Sequence, residues 1–479
     1  LFALTFYRAP HLVFAHVWDE EGLESLTHRE PSHPGRPTAG LRASALAHPG
    51  RRGRGRRRDE GSNVNGNGHD NAPLTTRRFL SLIARAFVPD RILEVYRDYE
   101  RRRDLPATAV ALVRRDARWE LNDDPGHETA VASALNWLRH AQDNSATADG
   151  GIARHFSLID GWSASYPETT GYIAPTLLAE AERARSDELH ARARRLLDWL
   201  SSIQLPSGAF QAGLITTRPV VPVTFNTGQI LIGLADGTQR FGEPRYAAAM
   251  HRAASWLMET QEPDGAWRGF PTPLALPGDK TYETHVSWGL FEAERVAPGC
   301  GYGDAGLKQV RWALTKQQSN GWFSDCCLDV PATPLTHTIG YALRGIIEAY
   351  RLSGDKVFLE AATRTGSALV QCLEPDGRLP GRLDSSWRPA VRWVCLTGSA
   401  QIASCWLELL RWTSDERYLD AARRANRFMR RTQMLDAAEG IAGGMRGAFP
   451  VSGGYGRYEF LSWAAKFFID ATREEQAIV

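Results

Sequence analysis

Residues 256–267 read WLMETQEPDGAW: a tryptophan, a glutamine five positions later, then a proline–aspartate–glycine turn closed by a second aromatic residue. The tryptophan–glutamine step recurs at Trp137/Gln142, Trp199/Gln204 and Trp312/Gln317, with degenerate copies at Leu369/Glu374 and Phe428/Gln433. In chain order the copies start 62, 57, 56, 57 and 59 residues apart. A glycine turn follows each of the others too: ADGG (148–151), PSGAF (206–210), SNGWF (319–323), PDGRL (375–379) and GIAGG (440–444). Self-similarity at so regular a period marks a fold assembled from stacked supersecondary units.

Beyond each turn an irregular segment leads to a second apolar helix, expected at 169–183, 227–234, 284–295, 338–352, 397–412 and 460–472. A single helical hairpin cannot bury both apolar faces, so the hairpins must pack on one another. Six copies close into a ring, an all-α (α/α)6 toroid over residues 125–479. The first helix of each pair carries charge on one side, as in ARRLLDWLSS (193–202), which suits an outer layer. The second is rich in glycine, alanine and threonine, as in LTGSAQIASC (396–405), which suits a crowded inner ring.

Two segments precede the toroid. Residues 1–74 include RRGRGRRR (51–58) and NVNGNGHDN (63–71), neither of which can bury apolar surface, so a disordered basic and Gly/Asn-rich tail is expected. Residues 75–124 read as a helical extension and connector. The tail's arginines allow only nonspecific contact with nucleic acid, because the whole chain has a formal charge of just +2. No stretch of eighteen apolar residues suggests a membrane span. The start of the chain makes a poor signal peptide, and six cysteines confined to positions 300–405 do not suit a disulfide scaffold. A cytoplasmic location is therefore expected.

In a toroid the loops before the inner helices gather at one end, so the inner-helix N-termini are where a site would form. Those places read WSASYPETTGY (162–172), VTFNTGQ (223–229), KTYETHVSW (280–288), PLTHTIGY (334–341), RWVCLTGSAQ (392–401) and YGRYEFLSW (455–463). Glu283 and Glu168 are candidate acid and base for glycoside hydrolysis, provided that one is kept protonated. Both also stand where helix-start dipoles favour acids. His285 and His337, with tyrosines such as Tyr166, form a set able to abstract a proton alpha to a carboxylate. Trp387, Arg388, Arg392 and Trp393 suit an anionic sugar, since arginine forks onto carboxylates and tryptophan stacks on sugar rings. Asn226, Tyr282, Trp288, Tyr341, Tyr458 and Glu459 complete the expected substrate-binding lining. Asp325, Cys327 and His337 offer zinc-type donors, yet Cys326 directly beside Cys327 and the ten-residue gap fit no zinc-site spacing, so no cofactor is expected.

With its aromatic-rich glycine loops and six hairpins, the chain resembles the (α/α)6-toroid superfamily. That group holds six-hairpin glycosidases, polysaccharide lyases, sugar epimerases, terpenoid cyclases and protein prenyltransferases. YPETTGYI, FNTGQ and LTHTIGYALRG resemble uncharacterised bacterial toroid proteins associated with surface-polysaccharide genes. The resemblance implies glycan metabolism. The cyclase D-x-D-D acid motif is absent, and Leu121-Asn-Asp-Asp124 lacks its first acid. Asp325-x-Cys327 matches the start of the prenyltransferase zinc motif, but His337 follows too soon. The expected function is cleavage of a polysaccharide or oligosaccharide, acidic in character, by hydrolysis or β-elimination. A sugar epimerase and a non-catalytic glycan-binding or assembly protein are the alternatives.

Overall fold

The structure is a computed structural model that describes residues 3–9, 12–18 and 102–478. The chain divides into two compact units, 1–76 and 77–479. In the first, strands β1 (Ala3–Ala9) and β2 (Leu12–Trp18) pair antiparallel, from Ala3 opposite Trp18 to Ala9 opposite Leu12. This hairpin stands inside the segment whose composition suggested a tail. The arginine run and all but the last two residues of the helical pattern expected over 75–103 lie outside the described residues.

The second unit is helical. Helix α1 (Ala107–Ala117) occupies the stretch read as connector. The outer helices are α2 (His127–Asp143), α4 (Asp187–Ile203), α6 (Pro244–Thr260), α8 (Tyr302–Leu314), α10 (Lys356–Cys372) and α12 (Glu416–Thr432). The inner helices are α3 (Pro167–Ala184), α5 (Thr224–Phe241), α7 (Thr284–Val296), α9 (Thr336–Ser353), α11 (Leu396–Thr413) and α13 (Ser462–Gln476). Each inner helix packs on the next, and α13 packs back on α3, so the inner layer is a closed ring. Each outer helix packs on the inner helix before it, while α2, which has none before it, packs on α13. The first and last repeats thus lock together, and the (α/α)6 toroid is complete.

The repeated glutamine is explained by this architecture. Gln204 Nε2 donates to the carbonyl of Gly208 in its own turn (2.8 Å) and to Ala249 on the next outer helix (2.9 Å). Gln261 does the same to Gly265 and Ala305, and Gln433 bridges Gly443 and Ala130 across the closure. Each of these three glutamines therefore clips a glycine turn to the neighbouring repeat. The glycine is needed for conformation and for room. Gly208 has φ +94°, and a Cβ there would stand 2.4 Å from the Arg252 carbonyl oxygen.

The inner ring is crowded as expected. A Cβ on Gly345 of α9 would come within 2.2 Å of the Thr284 carbonyl on α7. Glycine at that crossing lets two backbones touch. Short turns join the first five inner helices to the outer helices that follow them, several through a left-handed residue such as Arg185, Gly242 or Gly354.

Short strands tie the long loops together at the other end. β3 (His155–Ser157) pairs with β4 (Gly161–Trp162) on one side and β7 (Glu459–Leu461) on the other. β5 (Val394–Cys395) pairs with β6 (Ala448–Phe449). The β3–β7 pairing sets Ser157 opposite Glu459 and joins the first loop to the last. All six cysteines are free, four of them buried. No helix among the described residues is long and apolar enough to cross a membrane.

Candidate active site

Pro167 fixes the first turn of α3, and Glu168 follows it directly. Its carboxylate does not cap the helix. It accepts a hydrogen bond from the Tyr166 hydroxyl at 2.7 Å. Burial raises the Glu168 pKa to about 7, and the Tyr166 bond and the nearby Arg154 charge only partly offset this. The position is central: burial raises the hydroxyls of Tyr166, Tyr172, Tyr282, Tyr341 and Tyr455, and the Glu168 charge adds to the rise in each.

Arg154 enters from the loop before α3. It donates to Glu459 at 3.1 Å, a contact that the β3–β7 pairing makes possible, and lies 5.1 Å from the centre of the Trp463 ring. His155 sits 3.9 Å from the same carboxylate. Trp463 in turn donates its indole N–H to the Tyr455 hydroxyl at 2.8 Å.

Deeper in the ring, Tyr341 lies between two imidazoles, its ring centre 4.4 Å from that of His285 and 4.4 Å from that of His337. Both histidines are buried. His285 Nδ1 donates to Gln229 Oε1 at 2.6 Å, and His337 Nδ1 donates to Gln401 Oε1 at 2.7 Å. Burial lowers the His337 pKa to about 4. The His285 pKa is driven well below its usual value by burial and by the Lys466 and Arg344 charges. Phe225 fills the space between Tyr341 and Tyr282.

Glu283 ends a 3₁₀ turn (Thr281–Glu283) and is 2% exposed. It makes no capping hydrogen bond to α7. Burial raises its pKa; the charges of Lys280 and Arg268 act against that. Its charged neighbours differ from those of Glu168, and Tyr282 is the residue that feels both acids.

The structure thus gathers Tyr166, Glu168, Tyr282, Glu283, His285, His337, Tyr341 and Glu459 around the inner-helix N-termini. Other expected residues serve elsewhere. Asn226 donates to the Gln211 carbonyl at 2.9 Å and secures its own loop. Trp288 is bound to Glu292 one turn along α7, with the Arg344 guanidinium 4.5 Å from its ring centre. Tyr458 is buried in a left-handed conformation, its backbone N–H on Val451. Trp387 bonds to the Asn320 carbonyl, and Arg388 is an exposed partner of Asp384. Trp393 packs against Gly381, Gly453 and Gly454. Arg392 lines a separate cavity of about 330 Å³ with Trp119, Glu374 and Arg378. Asp325 pairs with Lys316 while His337 is committed to Gln401, and among the described residues no three His, Cys, Asp or Glu group to hold a metal.

Reading the loops by type missed Arg154, Tyr455, Trp463, Gln229 and Gln401. The signal for Gln229 and Gln401 was present, since FNTGQ and LTGSAQ place a glutamine at the same depth of two inner helices.

No family model matches the chain, and no curated protein matches it either. Solved structures do share its fold. An unsaturated glucuronyl hydrolase specific for heparin aligns at a TM-score of 0.60 and 16% identity, covering 74% of this chain and 97% of that one. A D-mannose isomerase aligns at 0.60 and 11% identity, over 74% of this chain and 97% of its own. The cellobiose 2-epimerase of Bacillus thermoamylovorans aligns at 0.55 and 10% identity, over 75% and 98%. At such identities the likeness establishes the six-hairpin toroid fold.

Proposed function

We propose that this protein is a carbohydrate-active enzyme that moves a proton at a carbon of its sugar substrate, as in epimerisation, isomerisation or β-elimination. The observation that carries the reading is the pair of buried, uncharged histidines flanking Tyr341, each held through Nδ1. An imidazole fixed in that way keeps its Nε2 lone pair free to accept a proton. Glu168, whose pKa is about 7, holds its proton below that pH and supplies the complementary acid. In the proposed step an Nε2 takes the proton next to a carbonyl or carboxylate, and Glu168 hydrogen-bonds the oxygen on which negative charge develops. Return of the proton to the other face gives an epimer, and expulsion of the neighbouring glycosidic oxygen gives elimination. Hydrolase, isomerase and epimerase among the proteins of similar fold support a sugar substrate. The polar lining by Glu168, Arg154, His285 and His337 speaks against an isoprenoid one.

Hydrolysis is the second reading, favoured by Glu168 itself, a protonated acid near the Arg154–Glu459 pair. One experiment separates them. Reducing oligosaccharides, neutral and uronate-containing, are incubated with the protein in D2O and followed by proton NMR. Deuterium entering the carbon beside the carbonyl, or an unsaturated product, is expected, and His337→Asn should lose it. Release of reducing ends without deuterium, retained in His337→Asn and lost in Glu168→Gln, would establish hydrolysis instead. No exchange and no cleavage on any substrate would overturn both.

A further inference from the structure

We infer that Gln229 and Gln401 are positioning residues that set the tautomer of the histidine pair. The inference rests on reading His285 and His337 as the bases. It concerns residues one step removed from the substrate.

The geometry is a row through the ring: Gln229 on α5, His285 on α7, Tyr341 and His337 on α9, Gln401 on α11. The two glutamines lie on opposite sides of the row, and both are buried, at 0% and 3% exposure. Each presents its amide oxygen to an Nδ1, at 2.6 and 2.7 Å. A neutral imidazole carries one N–H, so an Nδ1–H held by an acceptor leaves Nε2 as the basic nitrogen. Burial keeps the ring neutral, and at His337 the Gln401 bond offsets only part of that effect. A carboxylate in the same place would stabilise the imidazolium, whereas an amide orients the ring without adding charge.

The backbone makes room for both contacts. A Cβ on Gly340, three residues after His337, would stand 2.9 Å from Gln401 Cβ and 3.2 Å from its Oε1. A Cβ on Gly228, beside Gln229, would stand 2.6 Å from a methyl of Val286, the residue after His285. Glycine brings the helices close where each glutamine must reach across.

The charged and titratable groups that act on the pair point the same way. His285 feels Lys466 from α13, Arg344 and His337 from α9, and packs on Tyr341 and Trp288. His337 packs on Tyr341 and on Tyr455 of the last loop. The charges that act on His285 are cationic, which disfavours a protonated ring.

The test uses the full chain with ¹⁵N-labelled histidine. At neutral pH the wild-type protein should show both His285 and His337 as the Nδ1–H tautomer. A predominant Nε2–H form, or imidazolium, at either would overturn the inference. Gln401→Glu should raise the His337 titration midpoint by at least about one pH unit and leave His285 unmoved. The acid limb of any proton-exchange rate profile should move upward with it, through kcat more than KM. Gln401→Leu should give mixed tautomers at His337 alone. Unchanged His337 resonances in both variants would sink the proposal. The tautomer measurement needs no substrate, so it stands or falls apart from the proposed reaction. Proton exchange persisting unaltered in both glutamine variants would remove the positioning role and leave the reaction intact.

Discussion

At the residue scale, Glu168 couples stability to acidity. Its folded pKa of about 7 lies above the ordinary 4.5, so between those values the folded protein binds a proton that the unfolded chain has released. Stability from this group is therefore full below about pH 4.5 and falls as pH rises towards 7. His337 acts in the opposite sense. Its pKa of about 4 lies below 6.5, so its contribution is full above 6.5 and falls as pH drops towards 4. Glu168→Gln removes the first titration. Its melting temperature should decline less between pH 5 and 7 than that of the wild type, as thermal denaturation across that range will read. Activity in the same variant should fall by roughly 10²–10⁴-fold, the usual contribution of a general acid, measured as kcat on whichever substrate shows exchange.

At the element scale, the inner helices owe their closeness to small residues. On α9, Gly345 touches the α7 backbone, with 2.2 Å left for any Cβ against the Thr284 carbonyl oxygen. Gly345→Val must push α7 and α9 apart. The expected cost is at least about 1–3 kcal/mol, as for overpacked cores generally. Because Thr284 and His285 open α7, the same change should disturb the His285–Gln229 contact, which the histidine resonances will report. The outer helices obey different demands. On α4 the buried residues are Leu189, Ala193, Leu196, Leu197, Trp199 and Leu200, one stripe of an otherwise charged helix. Substitutions on its exposed side should shift stability by no more than about 0.5 kcal/mol.

At the scale of the whole molecule, closure joins segments more than three hundred residues apart. The α13–α2 packing is backed by Gln433 on Ala130 and by Arg430, whose Nε donates to Asp124 at 2.8 Å. Helix α1 belongs to the same lock. Asp116, 1% exposed, accepts from Arg446 Nη2 at 3.2 Å and from the Val451 backbone at 3.0 Å. A buried pair broken on one side leaves an uncompensated charge, so Asp116→Ala should cost about 3–5 kcal/mol in denaturant unfolding. A loss below about 1 kcal/mol would show that α1 is dispensable to the ring.

The ring was legible in the chain because its cause is local and repeated. The copies with Gln142, Gln204, Gln261 and Gln433 meet the same demand, clipping a glycine turn to the next outer helix, so one physical requirement is written four times over. The loops at the inner-helix N-termini were legible for the same reason, and Glu168, His285, His337 and Tyr341 were found there. Their partners were not. Arg154 reaches Glu459 only because a strand of the first loop pairs with one of the last, across 305 residues of sequence. Gln229 and Gln401 meet their histidines 56 and 64 residues away. The arginines and tryptophans of 387–393 looked alike in composition and were carried to the rim and the loop packing. Local patterns fix which helices form and in what order they pack. Which polar groups face one another, and therefore which are charged, is decided by closure of the ring, because burial and pairing exist only once it has closed.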